Sequence, residues 1–107
     1  MTSIRIVFST IDSEENARKM ARHLVEEHLA ACVNIVSNVS SVYKWEGVLE
    51  EEKECLLIIK TSENRLEELI TRIVESHPYE VPDVVAFPIE KGYSSYLEWV
   101  ISETRGS

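Results

Sequence analysis

The order in which the hydrophobic periodicity changes along the chain is its most restrictive feature. Four segments have the period-two or continuously apolar pattern of β-strands, at residues 3–9, 32–45, 49–61 and 83–89. Segments with helical spacing lie between the first two strands, between the last two, and after the fourth. The order βαββαβ plus a C-terminal helix predicts an α+β fold, a ferredoxin-like sandwich with its helices packed on an antiparallel sheet. We expect residues 1–107 to form one domain.

Polar residues and prolines mark where the helices begin and end. Asp12 and Ser13 are the candidate N-caps of the first helix, whose apolar stripe continues as far as His28. We therefore expect His28 to be a packed, hydrogen-bonded residue on that stripe. The second helix ends at His77, because the following proline disfavours helical geometry at this position.

The two central strands are unusually long. Each is about twice the common strand length of about five to six residues, and Glu46-Gly47 between them provides a hairpin turn. Strict alternation along the first arm places five apolar residues on one face, namely Val33, Ile35, Val39, Tyr43 and Trp45. A hairpin of this length extends past its own helices and leaves apolar surface and strand edges uncovered. We therefore predict a closed oligomer that uses the hairpin as its seam.

Composition excludes several classes of function. The 11 basic and 19 acidic residues give a net charge of −8, which argues against nucleic-acid binding, because phosphate neutralisation needs clustered Lys and Arg. No apolar stretch of about 18 residues is present, so we expect no transmembrane segment. Cys32 and Cys55 lie apart in apolar runs, as small buried residues do. No secretory h-region precedes Phe8, so we do not expect export, and reduced thiols then predict a cytoplasmic protein.

The segment from His77 to Pro82 is the best candidate for a functional site. Its two prolines hold the connection between the second helix and the last strand rigidly. His77 has two interpretations: it stabilises the end of the helix, or it binds a divalent metal ion with Glu80 three residues later. Neither a nucleophilic elbow nor a glycine-rich phosphate loop is present, so we predict a protein that is not an enzyme.

A second kind of site is a pocket lined by aromatic rings. Most of the aromatic side chains are explained as core or interface anchors, but rings gathered between subunits would form a ligand cleft. Lys60, at the end of the third strand, could meet an anionic ligand there. The cleft candidates are Trp45, Lys60 and Tyr79.

The chain closely resembles the CutA family, the divalent-cation tolerance proteins. The matching segments are LAACVNI at 29–35, SVYKWEG at 41–47, LIIKT at 57–61, HPYEVPD at 77–83 and YLEW at 96–99. The resemblance implies a ferredoxin-like homotrimer, related in architecture to the PII signalling proteins and linked to tolerance of copper and other divalent cations. Some members have copper ligands at a strand cysteine and a His-His pair, where this chain has Ser9 and Ser76-His77. Only His77 carries over, which argues against cysteine-based copper binding here.

Two functions follow as hypotheses. The first is a homotrimeric, non-catalytic divalent-cation tolerance protein that binds copper weakly through His77 and Glu80, with no other cofactor. The alternative is a PII-like signalling or scaffold trimer that binds a small metabolite or a protein partner.

Overall fold

The protein is a four-stranded antiparallel sheet with helices on both faces. A computed structural model describes residues 2–105. The strands are β1 (Ile4–Ile11), β2 (Cys32–Trp45), β3 (Val48–Ser62) and β4 (Val85–Pro88), and the α-helices are α1 (Glu14–Glu26), α2 (Leu66–Ser76) and α3 (Ser94–Glu103). The strand order β2-β3-β1-β4, antiparallel throughout, confirms the predicted ferredoxin-like fold. Within residues 2–105 no helix is long and apolar enough to cross a membrane.

The main core lies between the sheet and the pair α1 and α2. The core face of the sheet carries Val7, Leu57 and Ile59, which are fully buried. Helix α1 contributes Ala17, Met20 and Leu24, and α2 contributes Leu69 and Ile73. These helical residues recur three or four positions apart, which places them on a single stripe facing the sheet.

Helix α3 packs on the opposite face of the sheet, over the start of β1. Its Val100 contacts Ile4 and Ala31 in a second, smaller cluster of buried residues. Because Ile4 and Val7 are three positions apart in one strand, their side chains point to opposite faces. Since α3 covers only one end of this face, the rest of the face is not covered by a helix.

The start of α1 agrees with the sequence prediction, but its end does not. Ser13 is the N-cap, and its hydroxyl accepts a hydrogen bond from the amide of Asn16 at 3.1 Å. The helix ends at Glu26, and His28 adopts a left-handed conformation with φ of 61°. The prediction that His28 packs on the apolar stripe was wrong, because the chain has already left the helix there and the side chain is exposed. Such left-handed residues commonly end helices. The ring of His28 is hydrogen-bonded as predicted, since Nδ1 lies 3.1 Å from the Glu103 carbonyl oxygen.

A β-bulge in β2 overturns the predicted alternation along this strand. Val36 pairs with Leu56 but Val39 pairs with Glu54, so β2 has one extra residue, and Asn38 in the bulge has φ of 61°. Val33 and Ile35 face the core as predicted, opposite Ile59 and Leu57. Beyond the bulge, the side chains that strict alternation would place on the core face of the sheet lie on the opposite face. The residues moved to the face opposite α1 and α2 are Val39, Tyr43 and Trp45.

The hairpin turn has the geometry that the sequence predicts. Glu46 and Gly47 both have positive φ, 51° and 82°, as the two central residues of a type I′ turn require. Trp45 and Val48 pair on either side of the turn. The two arms therefore remain in register to the tip of a hairpin that is 14 and 15 residues long.

Ser9 is the one polar side chain on the core face of β1 that is completely buried. It is 0% exposed beside Leu57, its partner on β3. Its hydroxyl has no hydrogen-bond partner within residues 2–105. A buried hydroxyl without a partner loses its interaction with water and gains nothing in return.

We predict that Ser9→Ala raises the free energy of unfolding by about 1 kcal/mol, because it removes an unsatisfied buried hydroxyl without changing the shape of the core. Denaturant titration at one fixed chain concentration measures the change. Ser3→Ala, at an exposed serine, is the matched control and should alter stability by less than about 0.5 kcal/mol. A loss of stability in Ser9→Ala would contradict this account of the core.

Candidate functional site

The segment 77–83 is fastened to the end of β1 through a single residue, Thr10. Pairing between β1 and β4 stops at Phe8 and Val85, so Thr10 lies beyond the last pair. The carboxylate of Asp83 accepts hydrogen bonds from the Thr10 amide at 3.2 Å and from its hydroxyl at 2.8 Å. The Thr10 carbonyl accepts a hydrogen bond from Nε2 of His77 at 2.8 Å. Two side chains thus replace the main-chain partners that a longer β4 would supply.

These contacts determine the tautomer of His77. A carbonyl oxygen only accepts, so Nε2 carries the proton that it donates to Thr10. The other ring nitrogen, Nδ1, accepts a hydrogen bond from the amide of Tyr79 at 3.2 Å. Both nitrogens of the neutral ring are therefore in use. A metal ion could reach a ring nitrogen only by displacing one of these partners.

Tyr79 connects this segment to the hairpin. Its ring lies against that of His77, with the centroids 4.6 Å apart, and its hydroxyl donates a short hydrogen bond to Oε2 of Glu54 on β3. Glu54 is only 8% exposed. Burial, together with the hydrogen bond to the Glu54 carboxylate and its charge, raises the pKa of Tyr79 far above the usual value. The phenol donates this hydrogen bond in its neutral form.

An open cleft of about 770 Å³ lies between the hairpin and the segment 77–83. One side is formed by Tyr43 and Trp45 of the hairpin, and the other by Tyr79 and the residues that follow it. The lining also includes one lysine, Lys53, and five carboxylates, those of Asp12, Glu52, Glu54, Glu80 and Asp83. Desolvation and the charges of nearby glutamates raise the pKa of Tyr43. The cleft is therefore acidic.

The structure brings three of the five predicted site residues together and separates two. Trp45, Tyr79 and Glu80 all line the cleft, whereas Lys60 and His77 do not. His77 lies behind Tyr79, where it holds the segment to Thr10. Lys60 pairs with Cys32 on β2, and its amine donates to the side chain of Asn34. An anion site shared by Lys60, Tyr79 and Trp45 does not form within one chain.

Residues 2–105 contain no group of three or more His, Cys, Asp or Glu side chains placed to hold a metal ion. Ser9 is buried in the core, and the hydroxyl of Ser76 donates to the Arg72 carbonyl at 2.9 Å on α2. Both ring nitrogens of His77 are hydrogen-bonded to main-chain groups, so neither is free to form a ligand set with these serines. The described part of one chain therefore offers no preformed transition-metal centre.

Sequence reasoning found Trp45, Tyr79 and Glu80 but missed other residues that build the cleft, among them Thr10 and Glu54. Glu54 stands in an acidic part of β3 that resembles an exposed surface, and Thr10 carries no local signal. Only the pairing of β1 with β3, together with the end of β4, brings them beside Tyr79. Asp83 had one usable signal, since an aspartate after proline at the start of a strand is well placed to accept main-chain hydrogen bonds.

Comparisons with known proteins agree over nearly the whole chain. The family described as "CutA1 divalent ion tolerance protein" matches residues 5–103. The divalent-cation tolerance protein CutA of Thermus thermophilus is 46% identical over 99 residues, which are 92% of this chain and 96% of that protein. Human protein CutA is 42% identical over 92% of this chain, but the match spans only 55% of the human protein. The crystal structure of CutA1 from Oryza sativa has a TM-score of 0.93 at 43% identity and covers 99% of this chain and 98% of its own. The chain therefore belongs to the CutA1 divalent ion tolerance protein family.

Proposed function

We propose that this protein is a non-catalytic homotrimer that acts in divalent-cation tolerance and binds copper weakly. Membership of the CutA1 family supports the cellular role. The proposal of a trimer is supported mainly by one observation: α3 leaves most of one apolar face of the sheet uncovered. The exposed or half-buried side chains on it include Phe8, Val36, Leu56, Ile58, Val85 and Phe87.

This open face has the character of an interface. Val85 is 57% exposed and Phe87 is 41% exposed, and Phe87 packs edge-to-face on Phe8 with the ring centroids 5.0 Å apart. Tyr96 and Trp99 extend the face from α3. Contiguous apolar surface of this kind is uncommon on monomers and marks contact surfaces. Covering a Val or Phe side chain contributes on the order of 1.5–3 kcal/mol, so several such residues favour association strongly.

We propose a protein that is not an enzyme because of the side-chain contacts of its serines, cysteines and histidines. Among residues 2–105 no serine or cysteine side chain hydrogen-bonds to a histidine, as an activated nucleophile would. We also place the protein in the cytoplasm, because Cys32 and Cys55 are both free thiols and persist most readily in a reducing compartment.

Copper binding, in this proposal, centres on Glu80 and His77. Glu80 is exposed at the acidic cleft and offers a carboxylate. His77 can bind through Nδ1 only in competition with the Tyr79 amide. This competition and the small number of ligands in one chain account for the weak binding. Neighbouring subunits would have to supply the remaining metal ligands.

A second candidate function is the PII-like binding of a small molecule. The cleft favours it, since its volume of about 770 Å³ lies within the range of small-molecule sites and its walls combine aromatic rings with polar groups. Native mass spectrometry of protein purified from cells tests this candidate, because a small molecule that remains bound adds its mass to that of the protein.

We predict that Phe87→Glu converts the trimer to monomers, because it places a charge in the centre of an apolar interface. Light scattering coupled to size-exclusion chromatography should give about three times the 12.3 kDa chain mass for the wild type and one chain mass for the variant. Val74→Glu, at a 48% exposed position on α2, is the matched control and should remain trimeric. A monomeric wild type, or a trimeric Phe87→Glu, would rule out this interface.

We predict that Glu80→Gln weakens Cu(II) binding by about threefold, the loss expected for one exposed carboxylate. His77→Gln should weaken it as well, whereas His23→Gln on the exposed side of α1 should not. Isothermal calorimetry on tag-free protein measures each affinity. Equal affinities for the wild type, Glu80→Gln and His77→Gln would remove this segment from the copper site.

A further inference from the structure

The floor of the cleft is a nearly buried carboxylate that has no positive partner. Glu54 is 8% exposed and lines the cleft. Oε2 accepts the hydroxyl of Tyr79, but within residues 2–105 no donor reaches Oε1, and no lysine or arginine forms a salt bridge with the side chain. Oε1 is not among the fully buried side-chain atoms, so it is open to the cleft, and a cation that reached it would offset the charge of this mostly buried carboxylate.

The lysine nearest in sequence does not supply that cation. The amine of Lys53 donates to the hydroxyl of Ser40, its partner across the hairpin. Although Lys53 also lines the cleft, its side chain leaves β3 on the face opposite to that of Glu54 and forms no salt bridge with this carboxylate. The charge of Glu54 is therefore left for a group that enters from the cleft.

One aromatic ring, that of Tyr79, is hydrogen-bonded to this carboxylate, and two more line the cleft farther toward the hairpin tip. The β-bulge at Asn38 places Tyr43 and Trp45 on the same face of the sheet as Glu54. Tyr79 completes the wall from the opposite side. The faces of aromatic rings attract cations, and a guanidinium plane also stacks on them.

We propose that the cleft binds a small organic cation through a primary ammonium or guanidinium group, which donates to Oε1 of Glu54 beside the rings of Tyr43 and Tyr79. The inference rests on the second candidate function and names its class of ligand; it does not depend on copper binding. Five carboxylates against one lysine in the lining give the charge complementarity, and N–H donors fit the free carboxylate oxygen. A bare metal ion fits less well, because residues 2–105 hold no cluster of three metal-ligating side chains.

Calorimetry on the full-length oligomer, with agmatine as the probe, tests the proposal. Agmatine carries both a guanidinium and a primary ammonium group, while succinate and 1,4-butanediol are an anion and a neutral molecule of similar length. We expect agmatine to bind saturably with one molecule per chain, and the two control compounds not to bind. Saturable binding of succinate or butanediol in place of agmatine would overturn the cation class while leaving small-molecule binding intact. Failure of all three to bind would also overturn it.

Variants then locate the site. Glu54→Gln keeps the shape of the side chain but loses its charge, and should weaken agmatine binding by at least about tenfold. Glu67→Gln, an equal loss of charge on the exposed surface of α2, should leave it unchanged. Tyr43→Leu removes one ring of the proposed site and should weaken agmatine binding as well. Wild-type affinity in Glu54→Gln, or an equal loss of binding in Glu54→Gln and Glu67→Gln, would overturn the proposal.

Discussion

The candidate site depends on how the chain completes the hydrogen bonds of Thr10. Strand β4 pairs with β1 only as far as Phe8, which leaves the amide and carbonyl of Thr10 facing a vacant position in the sheet. Asp83 and His77 fill that position with side chains. Unpaired main-chain groups are costly, so this pairing gives the segment 77–83 one favourable location. The location sets Tyr79 beside Glu54 and forms one wall of the cleft.

The other wall depends on a single inserted residue. Without the β-bulge at Asn38, the outer part of β2 would present the opposite set of side chains, because a shift of one residue in a strand exchanges its two faces. The bulge brings Tyr43 and Trp45 to the face that carries Glu54. The same face, nearer β4, is the apolar surface proposed as the subunit interface. The cleft and the interface are thus neighbouring parts of one face of the sheet.

Several features of the fold could be predicted, since each is encoded by local periodicity or by proline and glycine. They are the element order, the long hairpin, the turn at Glu46-Gly47 and the end of α2 before His77. The bulge could not be predicted, because Asn38 takes a positive φ that its neighbours in sequence do not dictate. His28 was placed in the core because apolar spacing continues past the point where the helix stops. The pairing of Glu54 with Tyr79 joins residues 25 positions apart, and only strand register reveals it.

The role of His77 illustrates how the structure changes the chemistry expected from the sequence. A histidine and a glutamate three residues apart suggested a metal site, yet both ring nitrogens hold main-chain groups. The most direct test of this account is amide hydrogen exchange at Thr10, measured by NMR in the wild type and in Asp83→Ala. We expect slow exchange in the wild type and much faster exchange in the variant, with the core amide of Ile59 protected in both. Rapid exchange at Thr10 in the wild type, or the same rate in both proteins, would contradict this account.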